Sequence, residues 1–262
     1  MSAILRFFLL LAVFAGQAAP GDRERLELPA KGRNDLILNY HGFTICYDEA
    51  DRIPRWAAYE LTAAKTEGDA VRGGLNFRPD ERVAAVQPDN ADYRGSGWSR
   101  GHMVPAGDCK WDEQAMRDSF FYTNCCPQDE RLNNGSWNVL ENRVRSWARQ
   151  YGSVYVVTGP LPGRNRHGRI GAHGVLVPDA FFKALLVHAE DGWHAVAFVM
   201  QNESDPQKLP DCLLSVRELE RISGIDFFPQ LPDAVERRVE RNAEPLFWGL
   251  PAAEGGKAVQ AR

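Results

Sequence analysis

The order and periodicity of the apolar segments predict an α+β fold. Strand-like and helix-like stretches follow one another in mixed rather than strictly alternating order, which favours α+β over a doubly wound parallel sheet. No internal repeat, low-complexity tract or long linker interrupts the chain between about Leu26 and Leu250, so we expect a single domain. With 44% hydrophobic and 25% charged residues among 262, the chain has enough apolar material for a sizeable core.

The N-terminal half predicts two regular segments followed by a glycine-rich loop. "FTICYDEA" alternates like a strand, and "IPRWAAYELTAA" has a pattern mixed between a strand and a short helix. Glycines punctuate "DNADYRGSGWSRGHMVP", which predicts a loop that enters a short strand at His102. We expect "FYTNCCPQDERLNNGSW" to be a polar connection, because Pro127 stops regular structure and turn-forming residues follow it.

The C-terminal half predicts a long helix, three strands and a second helix. In "WNVLENRVRSWARQYG" the apolar residues recur at helical spacing and Gly152 ends the pattern. These residues are Trp137, Leu140, Val144, Trp147 and Ala148. "SVYVVTGPLP" predicts a short buried strand, and "GVLVPDAFFKALLVH" with "WHAVAFVMQN" predicts a strand pair. "LLSVRELERISG" predicts a helix capped by Ser215.

The net charge excludes one class of nucleic-acid-binding protein. A formal charge of -4 at pH 7 argues against a protein that coats nucleic acid electrostatically, since such domains are usually strongly basic. An enzyme that must release its product is not bound by that expectation. Six arginines fall in one central stretch and predict a local basic face: Arg143, Arg145, Arg149, Arg164, Arg166 and Arg169.

The first residues resemble a secretory signal. "MSAILRFFLLLAVFAGQAAP" has one positive charge, an apolar run too short to span a bilayer comfortably, and small residues that favour cleavage after Ala18. We therefore expect a signal peptide over 1–18, a domain over 19–250, a flexible tail over 251–262, and a periplasmic or secreted protein with no stable membrane association after cleavage. An uncleaved anchor or a mitochondrial presequence is the alternative, although a presequence normally carries more arginines.

Five cysteines follow the predicted signal: Cys46, Cys109, Cys125, Cys126 and Cys212. An oxidising compartment would allow two disulfide bonds and one remaining thiol, and the sequence does not choose the pairing. The adjacent Cys125 and Cys126 are poor partners for each other because the bridge would be strained. Without a C-x-x-C pair or a spaced histidine pair, a zinc site is disfavoured. We expect structural roles for these residues.

Polar residues of catalytic type are grouped around the predicted helix. Glu141 and Arg145 are four residues apart and project from one face of the helix, with Asn133 in the loop before it. In "SRGHMVPAGD", Arg100 and His102 precede a proline turn. These five residues can converge where a strand and loop meet a helix. The alternatives are a purely structural His102 and an exposed Glu141–Arg145 pair contributing about 0.2–0.5 kcal/mol.

Four motifs together resemble one family. "SRGHMVPAGD", "FYTNCCPQ", "LNNGSWNVLE" and "VYVVTGPL" occur in the order and at the intervals seen in the DNA/RNA non-specific endonucleases. These are the ββα-metal (His-Me finger) nucleases, which include endonuclease G, Serratia-type and ExoG-like enzymes. The resemblance runs from about Ile45 to Phe228. It implies a mixed, mainly antiparallel central sheet flanked by helices, and hydrolysis of DNA and RNA phosphodiesters to leave 5′-phosphates.

The resemblance also implies a base and a metal site. His102 matches the family's general base, which takes a proton from the attacking water. Asn133 resembles the one direct protein ligand of a Mg²⁺ ion, with Mn²⁺ as a substitute, and Glu141 resembles the carboxylate that holds the ion's waters. A neutral imidazole with a reference pKa near 6.5 can accept a proton near neutral pH. Mg²⁺ prefers oxygen ligands and keeps several waters.

Further residues match the family site. Arg100 and Arg145 match residues that grip phosphate and offset charge in the transition state. Asn124 matches a polar residue of the catalytic site, and Arg72 a further phosphate-binding arginine. Ser99 departs from the most common pattern, which has an aspartate there, and resembles the ExoG-like branch. The departure leaves open how His102 is oriented and whether cleavage is internal or from ends.

The sequence thus predicts an exported, magnesium-dependent, sugar-non-specific nuclease with DNA and RNA as substrates. A homodimer and an inhibitor protein are the further partners that we consider. The alternatives are a catalytically idle nucleic-acid-binding relative and a phosphodiesterase of small molecules. The other histidines have no motif partners and are expected to be non-catalytic: His41, His167, His173, His188 and His194.

Overall fold

A computed structural model describes residues 25–33 and 35–251. The predicted signal peptide over 1–18 lies outside these residues, as does the predicted tail except for Pro251. The central element is a seven-stranded sheet in which every neighbouring pair is antiparallel. In spatial order its strands are β1 (Leu36–Asn39), β2 (Thr44–Asp48), β3 (Ile53–Thr62), β6 (Ser153–Leu161), β9 (Ala180–Ala189), β10 (Gly192–Gln201) and β11 (Leu213–Leu214).

Two small hairpins and six helices complete the described fold. The hairpins pair β4 (Ser99–His102) with β5 (Cys125–Gln128), and β7 (Arg169–Ile170) with β8 (Val175–Leu176). The helices are α1 (Asn90–Tyr93), α2 (Glu113–Asp118), α3 (Glu130–Leu132), α4 (Asn138–Tyr151), α5 (Val216–Ser223) and α6 (Asp233–Val239). The predicted α+β class and mainly antiparallel sheet are confirmed.

The sheet separates two apolar layers. On one face, Leu140, Val144 and Trp147 of α4 pack in the same buried cluster as Leu185 and Phe198 of the sheet. The other face forms a second cluster, whose members include Phe182, Leu186, Val216, Leu219 and Phe227. Because both faces of β9 and β10 are covered, these strands are almost continuously apolar rather than alternating. The prediction of a buried strand pair is confirmed.

Both predicted helices are confirmed, and their ends have clear causes. Helix α4 ends at Gly152, which has a positive φ of 86°, a conformation that costs glycine little. Helix α5 begins after Ser215, whose hydroxyl accepts a hydrogen bond from the Glu218 amide while the Glu218 carboxylate accepts one from the Ser215 amide. This capping box supplies partners for amides that the first helical turn leaves unpaired.

Two segments predicted to be loops are regular. Pro127 lies inside strand β5, opposite Arg100 of β4; a two-stranded ribbon leaves one side of each strand without a ladder, where a missing amide is tolerated. Asn133 does not lie in a loop, because α3 continues through a wide turn over Asn133–Trp137 into α4, with Gly135 in a non-helical conformation. Residues 130–151 therefore form one nearly continuous helical segment.

The predicted disulfides are not formed. All five cysteines are free, buried thiols within the described residues. Cys46 packs in the cluster on the α5 face, whereas the other four pack in the cluster on the α4 face. Burial raises the pKa of Cys125 to about 12, so this thiol stays protonated and behaves as a small apolar side chain. The predicted structural role stands, but as packing rather than cross-linking.

Among residues 25–33 and 35–251, no helix is both long enough and apolar enough to cross a bilayer.

Candidate active site

A cleft of about 590 Å³ lies between strand β4, the loop before α2, and the N-terminal end of α4. Six of the seven predicted site residues line it: Arg72, Arg100, His102, Asn133, Glu141 and Arg145. Lys110 and Asn138 line it as well. Residues separated by up to 73 positions in the sequence therefore meet at one opening, as the motifs predict.

Apolar packing fixes the His102 ring. Its centroid lies 4.6 Å from the Phe77 ring and 4.8 Å from the Phe120 ring. Its Nε2 is buried and has no hydrogen-bond partner in the described part of the chain. Burial, reinforced by the positive charge of Arg72, lowers the pKa of His102 to about 3. The imidazole is therefore neutral near pH 7, with a nitrogen that no protein group occupies.

Close packing at Gly101 and hydrogen bonds from Asn124 fix the backbone on either side of His102. A Cβ on Gly101 would clash with the Gln128 side chain, so only glycine allows β4 and β5 to pack this closely. Asn124 accepts a hydrogen bond from the Val104 amide at 2.9 Å and donates to the carbonyls of Val104 and Ser119. The Asn124 side chain is fully buried and does not line the cleft, so the structure does not bring it to the other site residues.

Ser99 does not orient the histidine. It lies opposite Gln128 in the hairpin and forms no side-chain hydrogen bond to the described residues. Alternation along β4 places Ser99 and Gly101 on one face, and Arg100 with His102 on the other. The aromatic pair Phe77 and Phe120 therefore sets the ring position that the sequence left open.

Arg145 is held by a buried carboxylate. Its Nη1 donates to Asp108 Oδ1 at 2.6 Å, and the hydroxyl of Tyr59 donates to Asp108 Oδ2 at 2.7 Å. A Cβ on Gly107 would lie 2.9 Å from Arg145 Nη1, which explains the glycine beside Asp108. Arg145 thus pairs with Asp108, and Glu141 makes no salt bridge with any described residue. The alternative of an exposed Glu141–Arg145 pair is wrong.

Asn133 and Glu141 offer oxygen ligands to the cleft. The Asn133 side chain forms no hydrogen bond within 25–33 and 35–251, and Glu141 faces the same cleft. Burial raises the pKa of Glu141 to about 7, opposed by the positive charge of Lys183. An amide oxygen and a carboxylate are ligands suited to a hard cation that retains its waters. The donor set therefore fits a hydrated divalent metal ion.

Two arginines, Arg100 and Arg72, line the cleft. Arg100 Nη2 donates to the carbonyl and the side-chain oxygen of Asn90, and its guanidinium lies 5.0 Å from the Tyr93 ring. The Arg72 guanidinium lies 5.8 Å from the Phe120 ring and has no salt bridge among the described residues. Together with Lys110, these side chains make the rim positive, as anion binding requires.

Sequence reasoning missed three residues that support the site. Asp108 ends the motif "SRGHMVPAGD", but nothing in the sequence connects it to Arg145. Asn90 lies in a segment predicted to be irregular. Lys183 lies on β9, behind Glu141, and gave one usable signal: it is the only charged residue in the apolar run "AFFKALLV".

A second group of metal-ligand type lies outside the cleft. Ligand atoms of Asp89, Asp92 and His173 lie within 4.8 Å of one another. Asp92 accepts hydrogen bonds from His173 Nδ1 at 2.7 Å, from the His173 amide and from the Asp89 amide. Asp89 accepts from the amides of Ala91 and Asp92, capping α1. Both Asp92 oxygens and Asp89 Oδ1 already accept hydrogen bonds, so the group braces α1 against the loop between β7 and β8.

Comparison with known proteins gives consistent matches. Residues 19–234 match the family described as DNA/RNA non-specific endonuclease. The mitochondrial nuclease EXOG of Xenopus laevis is 36% identical over 231 residues, covering 81% of this chain and 64% of the relative. Human mitochondrial endonuclease G is 36% identical over 208 residues, covering 74% and 70%. The chain thus spans less than two thirds of the EXOG relative.

A solved structure agrees with the sequence matches. The endonuclease G chain in the crystal structure of the EndoG/EndoGI complex, described as showing a mechanism of EndoG inhibition, aligns with a TM-score of 0.70 and 31% identity. The alignment covers 76% of this chain and 88% of that one. The predicted periplasmic or secreted location is wrong by these comparisons, because the EXOG and endonuclease G relatives are mitochondrial nucleases.

Proposed function

Because the chain belongs to the DNA/RNA non-specific endonuclease family, we propose that it is a nuclease that hydrolyses phosphodiester bonds in DNA and RNA with a bound Mg²⁺ ion. The observation that carries the proposal is the meeting of three groups in one cleft. These are the imidazole of His102, the amide of Asn133 and the carboxylate of Glu141. A base, a cation site and a positive rim are the parts that phosphodiester hydrolysis requires.

His102 is the proposed general base. Its neutral ring lines the cleft and accepts a proton from the water that attacks phosphorus, and the ring stays in place because Phe77 and Phe120 enclose it. A new P–O bond forms as the bond from phosphorus to the 3′ oxygen breaks, and the departing 3′ oxygen takes a proton from solvent, which leaves a 5′-phosphate and a 3′-hydroxyl. General-base catalysis of this kind contributes about 10²–10⁴-fold.

Asn133 and Glu141 are the proposed metal site, with Asn133 as the direct ligand and Glu141 acting through water. A bound Mg²⁺ would supply positive charge at the scissile phosphate, and Mn²⁺ is the proposed substitute. Arg100 and Arg72 reach the cleft from separate segments and bind phosphate oxygens. Arg145 acts from a fixed position, because Asp108 holds its guanidinium. Asn124 positions the backbone after His102 and does not touch substrate.

Recognition through phosphate explains the breadth of substrate that we propose. The rim offers guanidinium and ammonium groups from Arg72, Arg100 and Lys110. These groups contact the phosphates of the nucleic-acid backbone, and such contacts do not distinguish one base from another. Such binding releases counterions, so activity should fall steeply as salt increases and depend weakly on sequence.

A plasmid assay tests the function. With Mg²⁺, the protein should nick supercoiled plasmid and degrade a single-stranded RNA, and EDTA should abolish both activities. Binding of plasmid without cleavage, under Mg²⁺ and Mn²⁺ alike, would instead identify a catalytically idle relative. Hydrolysis of bis(p-nitrophenyl) phosphate with intact plasmid would identify a small-molecule phosphodiesterase. The open cleft with its positive rim favours the polymer substrate.

An inhibitor protein is a further proposed partner. The solved EndoG/EndoGI complex, described as showing a mechanism of EndoG inhibition, supports an inhibitor protein as a partner of this chain. The homodimer stays a prediction, which sedimentation of the purified protein would test.

A further inference from the structure

Lys183 is a buried lysine on the face of the sheet that supports the cleft. Only 1% of its surface is exposed. Alternation along β9 points it to the same side as Phe181 and Leu185, toward α4. Its Nζ donates to the Thr158 hydroxyl at 3.2 Å and lies 4.5 Å from the Trp137 ring centroid. Trp137 and Glu141 are four residues apart at the start of α4, so both face this ammonium.

The surroundings do not account for Lys183 by packing alone. It forms no salt bridge within the described residues, and a buried ammonium with a single neutral acceptor is costly. A methionine would fill the same space without that cost. A buried ammonium at this position therefore calls for a nearby negative charge that compensates it.

Two carboxylates lie close enough to interact with Lys183, and one of them is already paired. Asp108 accepts hydrogen bonds from Arg145 and Tyr59. Glu141 forms no salt bridge with a described residue; its hydrogen-bond partner is the Trp137 side chain, and its main electrostatic attraction is to Lys183, ahead of Arg145. Two positive and two negative side chains thus lie together. Arg145 and Asp108 are joined by a salt bridge, whereas Lys183 and Glu141 interact without one.

We propose that Lys183 is a positioning residue whose ammonium, fixed by Thr158 and Trp137, is the countercharge that holds the Glu141 carboxylate in its metal-binding orientation at the floor of the cleft. This inference rests on the proposed function of Glu141. Lys183 does not line the cleft, so it acts through Glu141 and touches neither substrate nor cation.

Substitution of Lys183 separates this role from a structural one. In Lys183→Met, Mg²⁺ binding measured by calorimetry without substrate should weaken on the order of tenfold, the effect of one lost electrostatic interaction. The melting temperature does not separate the two roles, because removing one partner of a buried charge pair destabilises the fold in either case. Plasmid nicking should recover at raised Mg²⁺. A merely structural lysine would leave Mg²⁺ affinity unchanged in the folded fraction.

Matched variants complete the test. Leu185→Met, on the same face of β9, should leave Mg²⁺ affinity at the wild-type value. In a Glu141→Gln background, Lys183→Met should weaken Mg²⁺ binding no further, because the two residues act as one unit. Lys183→Gln gives the same comparison if the methionine variant does not fold. Wild-type Mg²⁺ affinity in a folded Lys183 variant overturns the inference, whereas a wild-type protein that neither binds Mg²⁺ nor nicks plasmid overturns the proposed function itself.

Discussion

The described part of the chain contains two clusters of potential metal ligands, and they differ in the hydrogen bonds that their ligand atoms already make. The brace cluster, Asp89, Asp92 and His173, has the more typical metal-binding composition, and its ligand atoms lie within 4.8 Å of one another. The cleft cluster has one amide and one carboxylate, Asn133 and Glu141. By residue type alone, the brace cluster would be the stronger candidate for a cation.

Hydrogen bonding reverses that order. In the brace cluster, the Asp92 oxygens accept from His173 and from the Asp89 amide, so a metal would have to displace bonds that hold α1 in place. In the cleft, Asn133 and Glu141 leave oxygen lone pairs free. A binding site needs unoccupied acceptors as well as suitable residue types. The brace cluster supports the cleft indirectly, because it holds α1 in place and α1 carries Asn90, which orients Arg100.

The largest expected difference concerns the two histidines. His102→Ala should reduce Mg²⁺-dependent plasmid nicking by roughly 10²–10⁴-fold, because the base is lost, with circular dichroism unchanged. His173→Ala should keep nearly the wild-type rate, because the ring contacts Asp92 and not the cleft. Comparable activity of the two variants would remove the distinction between the clusters.

The next difference is in metal dependence. Asn133→Ala should raise the Mg²⁺ concentration for half-maximal nicking by about 10–100-fold, on the scale of lost metal-site support. Asp89→Ala should leave that concentration unchanged and lower the free energy of unfolding by about 0.5–2 kcal/mol, because α1 loses its N-cap. Metal titrations paired with urea denaturation measure both. A shift in Mg²⁺ dependence for Asp89→Ala would place a cation in the brace cluster.

The sequence predicted the strands and helices with strong periodicity, and it predicted the convergence at the cleft. The order of the four motifs was enough to predict that His102 and Glu141 lie close together. The side chains that fix these residues in place were not predictable. The Asp108–Arg145 contact joins residues 37 positions apart in the sequence, and no local sequence pattern connects them. The prediction that Pro127 stops regular structure was wrong for a physical reason. Proline is disfavoured in an interior strand of a sheet but is accepted in a two-stranded ribbon.

Asn124 shows a limit of motif matching, and it supplies the third prediction. It stands in a family motif, yet all of its amide atoms bond the backbone. Asn124→Ala should lower the free energy of unfolding by about 1–3 kcal/mol for each buried group left without a partner, and reduce kcat through the displaced His102 loop. The Mg²⁺ requirement should stay that of the wild type, in contrast to Asn133→Ala. Urea denaturation and metal titration distinguish the two asparagines.

The smallest effect is a difference in pH dependence between one carboxylate from each cluster. Burial opposes ionisation of Asp92, but hydrogen bonds from the Asp89 amide and from His173 outweigh it and lower its pKa. Its contribution to stability is therefore complete above the unfolded pKa of about 3.9 and is lost as pH falls through the lower folded value. Asp92→Asn should cost stability at pH 6 and much less at pH 3.

Glu141 should behave in the opposite sense. Burial raises its pKa to about 7, so in EDTA its contribution is complete below the unfolded pKa of about 4.3 and is lost as pH rises through the folded value. Glu141→Gln should therefore gain stability relative to wild type between pH 5 and pH 8. Urea denaturation across this range gives both slopes. If the two variants change stability with the same sign of pH dependence, then Glu141 is as fully bonded as Asp92, and the cleft loses the free carboxylate on which its cation site depends.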